Sequence, residues 1–167
     1  YALNDMWAAG DAGTLLHFDG LAWQPMEAPD DNYRALALGA DGALWLAGDV
    51  RLRSRSPQGS WSIEGPPWLQ DIYALEMGDD GTLIAVGAGG LLAVRSLPGA
   101  WKLLETPTSV TLRDASLDGS TGALVVVGDG GTVLEGTLEG VTLTEVSVPH
   151  DLLAIDATPD FGTLMVV

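Results

Sequence analysis

The pentapeptide LWLAG, residues 44–48, decides the fold because variants of it occur four times along the chain. The others are MWAAG at 6–10, LIAVG at 83–87 and the shorter VVVG at 125–128, so the closing glycines are spaced 38, 39 and 41 residues apart. The same period is kept by tryptophans at positions 23, 61 and 101 and by prolines at positions 29, 67, 107 and 149. A fixed period near 40 residues indicates a repeat architecture.

Within each unit, short apolar runs alternate with turn dipeptides, a pattern typical of antiparallel strands. In the second unit we predict strands at 33–38, 44–47, 50–55 and 61–64, with the pair Asp41-Gly42 in the first turn. Asp-Gly pairs fill this turn in later units too, and glycine accepts the positive φ of tight hairpins. Four strands in about 40 residues predict one blade of a β-propeller.

The repeats divide a single propeller segment into units 1–32, 33–71, 72–109, 110–150 and an incomplete 151–167. The last unit offers a first and a second strand, yet residues 6–9 already encode the second strand of the first unit. A ring closed at four blades would contain this strand twice. We therefore predict an all-β fold, with four-stranded antiparallel blades that form a partial propeller of about four and a half blades from a larger ring of about six to eight.

The ends of such an arc raise the question of what covers them, since an isolated half-ring exposes two blade faces. We expect the remaining blades, another copy or a partner to cover these open faces. The chain starts at Tyr1 without a leader sequence, so we expect it to be a fragment or a processed product.

The segment AAGDAGTLLHFDGLAW, residues 8–23, resembles the repeat of bacterial secreted propellers related to the photosystem II stability and assembly factor family, and the BNR or Asp-box repeats. The shared pattern is Gly-x-x-Gly-Thr, an apolar strand, an Asp-Gly turn and a Trp, and GDGGTVL at 128–134 repeats its beginning. Proline-containing turns at 57–59 and 98–99 depart from it, and the fourth unit has no Trp. The resemblance implies a periplasmic or secreted protein-binding platform.

Charge restricts the possible partners, because 23 acidic residues against 7 basic ones give a net charge of -16. Nucleic acid and anionic membranes would repel such a surface, so we expect neither as a partner and no membrane insertion. The absence of cysteine excludes disulfides and thiol chemistry. The charge is uneven, however, since residues 33–71 carry four arginines and are neutral overall.

The arginines of this neutral unit are the first candidate site. In the strand VRLRSR, residues 50–55, alternation places Arg51, Arg53 and Arg55 on one face. Aligned by repeat, Arg53 takes a position that is apolar in the other units, where it is filled by Leu15, Leu92 and Val133. One interpretation is that the arginines pair with carboxylates of adjacent blades. The other is a cationic patch, extended by Arg34, that binds an acidic partner segment or a carboxylated glycan.

A second candidate is Trp68, in the segment GPPWLQ at 65–70 and outside the repeating Trp positions. A tryptophan flanked by prolines could be a rigid anchor for a partner, or a lid packed over the blade edge. The repeating tryptophans are more simply interpreted as blade-packing residues: Trp7, Trp23, Trp45, Trp61 and Trp101.

For function we predict a non-enzymatic scaffold that mediates protein–protein interaction or assembly outside the cytoplasm, with no cofactor, no metal and no catalytic residues. The alternative is a carbohydrate-binding or sialidase-like propeller. Such an enzyme needs arginines around the axis, a tyrosine nucleophile and an acid. Tyr1, Tyr33 and Tyr73 take equivalent early positions and are interpreted as structural. Acidic turns at 30–32 and 79–81 could bind calcium, but hairpin chemistry explains them.

Overall fold

The structure, a computed structural model, describes residues 5–49, 51–65, 68–96, 99–119, 121–144, 148–157 and 164–166. It contains five antiparallel sheets in chain order. Blade 1 comprises β1 (Met6–Ala9), β2 (Leu15–Phe18) and β3 (Trp23–Pro25), and blade 2 comprises β4 (Tyr33–Leu38), β5 (Leu44–Gly48), β6 (Leu52–Arg55) and β7 (Trp61–Glu64). Blade 3 comprises β8 (Ile72–Met77), β9 (Leu83–Gly87), β10 (Leu92–Arg95) and β11 (Lys102–Leu103). Blade 4 comprises β12 (Leu112–Leu117), β13 (Ala123–Gly128), β14 (Thr132–Thr137) and β15 (Gly140–Thr144), and blade 5 comprises β16 (Ile155–Ala157) and β17 (Leu164–Val166).

The all-β, partial-propeller prediction is confirmed, because each sheet is a meander of neighbouring strands and lies within one repeat unit. Blade 1 begins at the second-strand position with β1, and blade 5 supplies a first and a second strand, β16 and β17. The second-strand position is therefore filled at both ends of the arc, as the repeats predict. The predicted third strand at 50–55 is observed from Leu52, and Val50 lies outside the described residues.

The hairpins between first and second strands form for local reasons. The Asp41 carboxylate accepts a hydrogen bond from the Ala43 amide at 3.0 Å, and Asp80 does the same for Thr82 at 2.8 Å. The glycine after each Asp has a positive φ, 81° at Gly42 and 83° at Gly81. These are Asx turns, and they place the acidic side chains in hydrogen bonds of the hairpin.

The blades pack face to face through their first strands, with β4 against β8, β8 against β12 and β12 against β16. The interface between consecutive blades is called a junction below, and each described junction has its own apolar cluster. Junction 1–2 contains Leu15, Leu44 and Leu46, and junction 3–4 contains Ile84, Leu112 and Leu124. Burial of these residues stabilises the stacking, since no single sheet has an apolar core of its own. Within the described residues no helix has the length and hydrophobicity needed to span a bilayer.

The link between second and third strands shows why one sequence alignment is wrong. In each blade we compare the glycine that closes the second strand with the third-strand residue that pairs with the position before this glycine. Four residues separate the two in blades 1, 3 and 4, whereas only three separate Gly48 from Leu52 in blade 2. Ala47 pairs with Leu52 in blade 2, and the equivalent Ala9 pairs with Leu15 in blade 1. Leu52, and not Arg53, is thus the equivalent of Leu15, Leu92 and Val133.

Arg53 still breaks an apolar pattern, one position later, where the other blades have Leu16, Ala93 and Leu134. The longer links of the other blades turn through two consecutive left-handed residues: Ala12-Gly13, Gly89-Gly90 and Gly130-Gly131. The second glycine of each pair lies against the backbone of the segment that leads to the next blade. The Gly13 amide donates to the Asp31 carbonyl and the Gly90 amide to the Val110 carbonyl, both at 2.8 Å.

Candidate functional site

Arg53 and Arg55 of β6, and Arg51 immediately before β6, face blade 1 and lie in junction 1–2. These three residues are called the β6 arginines below. Arg51 and Arg53 share one carboxylate, that of Asp31 in the segment between the two blades, and the Arg51 Nη1 to Asp31 Oδ1 distance is 2.7 Å. The Arg53 and Asp31 side chains are each only 11% exposed, whereas the Arg51 side chain is 59% exposed. Arg55 lies over the ring of Trp7, with its Cζ 5.4 Å from the ring centroid.

The charge state of Asp31 follows from these contacts. Burial acts to raise the pKa of the Asp31 carboxyl, but hydrogen bonds from Arg53 and Arg51 outweigh burial and hold this pKa below its usual value. Asp31 is therefore ionised near neutral pH. The pair Arg53–Asp31 is an internal ion pair, and Arg51 retains solvent-exposed donors beside it.

Arg34 belongs to a different row, on the first strands that line the propeller axis. Its guanidinium contacts Asp49 at 2.6 Å and Asp71 at 3.3 Å, and its Cζ lies 5.4 Å from the centroid of the Tyr73 ring. On the other side of Tyr73, Arg113 lies 4.8 Å from the same centroid and pairs with Asp129 at 2.6 Å. Arg34, Tyr73 and Arg113 thus form a cation–ring–cation row.

This row arises because a β-bulge recurs at the same place in three first strands, immediately after Tyr33, Ile72 and Leu112. The three bulged residues, Arg34, Tyr73 and Arg113, line a shallow depression of about 370 Å³. The predicted equivalence of Tyr33 and Tyr73 is therefore wrong. Tyr33 precedes the bulge, is buried and donates to the Pro29 carbonyl at 2.7 Å, whereas Tyr73 is the bulged residue.

Trp68 lies in the core of junction 2–3, where its side chain is only 5% exposed. Its ring meets the ring of Trp101 edge to face, with centroids 5.0 Å apart. The neighbouring Leu69 is 85% exposed, so the segment presents Leu69, and not the indole of Trp68, to solvent. Among the repeating tryptophans, Trp45 is buried in the same core, whereas Trp23, at the start of β3, is 45% exposed.

Three carboxyl groups form a further cluster where β8, β12 and β16 run side by side. Burial, assisted by the charges of Asp114 and Asp156, raises the pKa of Glu76 to about 7. Burial also raises the pKa of Asp114, and the Asp156 charge adds to the effect. The Asp114 carboxylate accepts the Ile155 amide at 2.9 Å, which links blade 4 to blade 5. Among the described residues no three His, Asp or Glu side chains converge in a way that could hold a metal ion.

Sequence reasoning found the β6 arginines but missed the roles of Tyr73, Arg113 and Glu76. The repeat gives no signal for the bulge that brings Tyr73 between two arginines. Glu76 occupies the position of Ala37 in blade 2, and a single acidic residue in a strand has no signature that distinguishes a buried group from a solvated one.

Comparison with solved structures identifies several propellers. The chain superposes on the β-propeller domain of Cps50 (Swd1) from Myceliophteria thermophila with a TM-score of 0.76 and 11% identity, covering 98% of this chain and 58% of that one. YCF48 bound to D1 peptide superposes with a TM-score of 0.73 and 19% identity, and a streptogramin B lyase with a TM-score of 0.76 and 18% identity. Each superposition covers 94% of this chain and 56% of the other.

These likenesses show the propeller fold and nothing finer. The chain spans little more than half the length of these three chains. No protein-family model matches the sequence, and no curated protein matches it.

Proposed function

We propose that this chain is part of a non-enzymatic propeller that binds a protein partner outside the cytoplasm, in a scaffold or assembly role. The main support is the placement of the basic residues in a chain of net charge -16, since four of the seven lie in blade 2. Arg34 and Arg51 keep solvent-exposed donors although each has a carboxylate partner. An acidic segment of the partner would bind along this surface. The covering of the open blade faces by further blades, a second copy or a partner belongs to the same proposal.

Two of the solved propellers support this choice. The YCF48 propeller was solved with a peptide bound, and another structure of the same fold is an extracellular domain of a hybrid two-component system from B. thetaiotaomicron. Within the proposal Arg34, Arg51 and Arg55 contact the partner. Arg53 holds Asp31 in place, and Trp68 positions the segment that carries Leu69.

The test measures binding of a fluorescent, Glu-rich peptide amidated at its C terminus, with the Gln-for-Glu peptide as the uncharged reference. The double variant Arg34→Gln/Arg51→Gln should weaken binding of the acidic peptide by about tenfold, because two exposed cations are lost. Lys102→Gln is the matched control, since Lys102 is 58% exposed and lies on blade 3. Equal binding by the double variant and the parent would refute the arginine surface.

The second candidate is an axial site for a carboxylated glycan, and the specific observation in its favour is the row of Arg34, Tyr73 and Arg113. Two guanidinium groups on either side of a phenol ring can hold a carboxylate and a sugar face. One of the solved propellers is also an enzyme, the streptogramin B lyase. Titration of sialic acid, and assay of a fluorogenic sialoside, test this candidate. Loss of sialic acid binding in Arg113→Gln but not in Lys102→Gln would favour it over the protein-binding proposal.

A further inference from the structure

Arg55 and Arg95 occupy the same position in successive blades, yet only one of them has a carboxylate partner. Each begins a motif of the form Arg-Ser-x-x-Gly-[Ser/Ala]-Trp, at 55–61 and 95–101. Each guanidinium also faces the second-strand tryptophan of the preceding blade. Arg55 lies 5.4 Å from the Trp7 centroid, and Arg95 lies 4.8 Å from the Trp45 centroid. The two sites can therefore be compared group by group.

At Arg95, in junction 2–3, two guanidinium nitrogens have hydrogen-bond partners. Its Nη1 donates to Glu64 Oε2 of blade 2 at 3.0 Å, and its Nε donates to the Gly99 carbonyl at 2.7 Å. The other oxygen of Glu64 accepts the Ser54 hydroxyl at 2.6 Å, so the carboxylate is held in place from its own sheet. This site is closed by an internal carboxylate.

At Arg55, in junction 1–2, the position of Glu64 is filled by Met26. The equivalence follows from the register, since Glu64 pairs with Leu52 and the Met26 amide donates to the carbonyl of Leu15 at 2.9 Å. Within the described residues Arg55 has no hydrogen bond and no ion pair, and its Nε is buried without a partner. A buried donor without an acceptor is costly in a protein. Arg55 therefore lacks both partners that Arg95 has, which are the carbonyl at Nε and the carboxylate at Nη1.

The space beside Arg55 is a groove of about 570 Å³ between blades 1 and 2. Its walls are about equally polar and apolar, and the apolar part includes Met26, Ala28, Pro29 and Trp61. Gly59 lies close to the guanidinium, because a Cβ at that position would be 3.2 Å from Nη2 of Arg55. A ligand that fits must combine one acceptor group with an apolar body.

A carboxylate matches this groove better than a phosphate does. The closed site shows that the guanidinium at this position of the blade pairs with a carboxylate of the neighbouring blade. Glu27 lies in the groove wall, and the chain carries a net charge of -16, so a doubly charged phosphate would meet stronger repulsion than a singly charged carboxylate.

We propose that the groove between blades 1 and 2 binds a peptide carboxylate with an adjoining apolar side chain, and that this carboxylate takes at Arg55 the place that Glu64 takes at Arg95. The inference deepens the proposed protein-binding function and rests on it for the identity of the ligand as a peptide. The carboxylate can come from the C terminus of the partner or from an acidic side chain.

The experiment titrates the full chain, labelled with ¹⁵N-arginine, with three probes: N-acetyl-phenylalanine, N-acetyl-phenylalanine amide and the C-terminally amidated dipeptide N-acetyl-Glu-Phe. The Arg55 Nε–H signal is assigned by its loss in Arg55→Lys. We expect a saturable shift of this signal with one or both acids and none with the neutral amide. The tighter acid identifies the source as a terminal or a side-chain carboxylate. No shift with either acid, or an equal shift with the amide, would overturn the inference.

Two exchanged variants make the test specific. Met26→Glu should supply the missing internal carboxylate and weaken probe binding by at least about tenfold, whereas Met26→Leu should leave it unchanged. Glu64→Met should open the second site, so that the acidic probe now shifts Arg95 as well. Thermal unfolding checks that each variant is folded, and if Met26→Glu is not, the Glu64→Met result decides alone. Unchanged probe binding in a folded Met26→Glu protein, or no Arg95 shift in Glu64→Met, contradicts the proposal.

Failure here is distinguishable from failure of the proposed function. The Glu-rich peptide assay depends on Arg34 and Arg51, and these residues are intact in every variant of this experiment. If the acidic peptide binds but the carboxylate probes do not, the surface stands and the groove is refuted. If the probes bind and the Glu-rich peptide does not, the groove stands and the surface is refuted.

Discussion

Junction 1–2 and junction 3–4 each contain a carboxyl group between blades, and the two groups have opposite pKa shifts. Asp31 meets Arg51 and Arg53, which hold its pKa below the usual value against the effect of burial. Glu76 is partly buried beside Asp114 and Asp156, and its pKa rises to about 7. Both groups lie between neighbouring sheets of one propeller, so the difference shows that the neighbouring side chains determine the charge state.

The largest change in the free energy of unfolding should come from removing the carboxylate at junction 1–2. Asp31→Ala leaves the guanidinium of Arg53 buried without a counter-charge, and breaking a buried pair in this way destabilises a protein by about 3 kcal/mol. Urea denaturation monitored by tryptophan fluorescence measures the loss. The control is Asp30→Ala, at an exposed neighbouring position. A loss of stability no larger than that of the control would show that the pair is not important for the junction.

Removing the charge of Glu76 at junction 3–4 should change the free energy of unfolding in the opposite direction. Glu76 has a raised pKa, so its stabilising contribution is complete below its usual value of 4.5 and is lost as pH rises through about 7. Glu76→Gln should therefore stabilise the protein by about 2 kcal/mol at pH 8, after allowance for partial solvent exposure, and should change little at pH 4. Denaturation at both pH values, with the exposed Asp79→Asn as control, measures this. A variant less stable than the parent at pH 8 would contradict the account.

At acid pH, the lowered pKa of Asp31 should make the stability of the protein depend on the charge of this residue. Because the pKa of Asp31 is lowered, its contribution is present above the usual value of 3.8 and is lost as pH falls through the pKa of the folded state. The free energy of unfolding should therefore fall below about pH 4 in the parent protein and fall less in Asp31→Asn. Parallel profiles for the two proteins in this range would argue against the arginine contacts.

The smallest effect should come from Arg51→Gln. The Arg51 side chain is mostly exposed and Asp31 keeps its contact with Arg53, so the loss should be below about 1 kcal/mol. Added salt should reduce this loss further, because exposed pairs are screened. A cost equal to that of Asp31→Ala would mean that Arg51, and not Arg53, holds the carboxylate.

The repeat pattern predicted the blades and the strand that occurs at both ends of the arc, because a 40-residue period with Asp-Gly turns leaves few alternatives. It also indicated that the β6 arginines share one face, since alternation depends only on strand geometry. It misplaced Arg53 by one position, because the link after Gly48 is one residue shorter and only the hydrogen-bonded register shows where the deletion lies.

The candidate site was less predictable for a related reason. Whether an arginine is engaged depends on a residue of the neighbouring blade, as Glu64 and Met26 show. These two residues are three positions after Trp61 and Trp23, so the signal was present in the sequence. This signal can be interpreted only with the structure, which shows that the third strand of one blade faces the second and fourth strands of the blade before it.

The link after each second strand bears on which substitutions the molecule can accept. After blades 1 and 3, the segment leading to the next blade is attached through backbone amides of Gly13 and Gly90, and such attachment is indifferent to the side chains of the attached segment. Blade 2 has the shorter link without this glycine pair, and the segment that follows it is anchored by the buried indole of Trp68. Sequence drift should therefore be tolerated best in the third connecting segment, whereas the first depends on the carboxylate of Asp31 and the second on one aromatic residue.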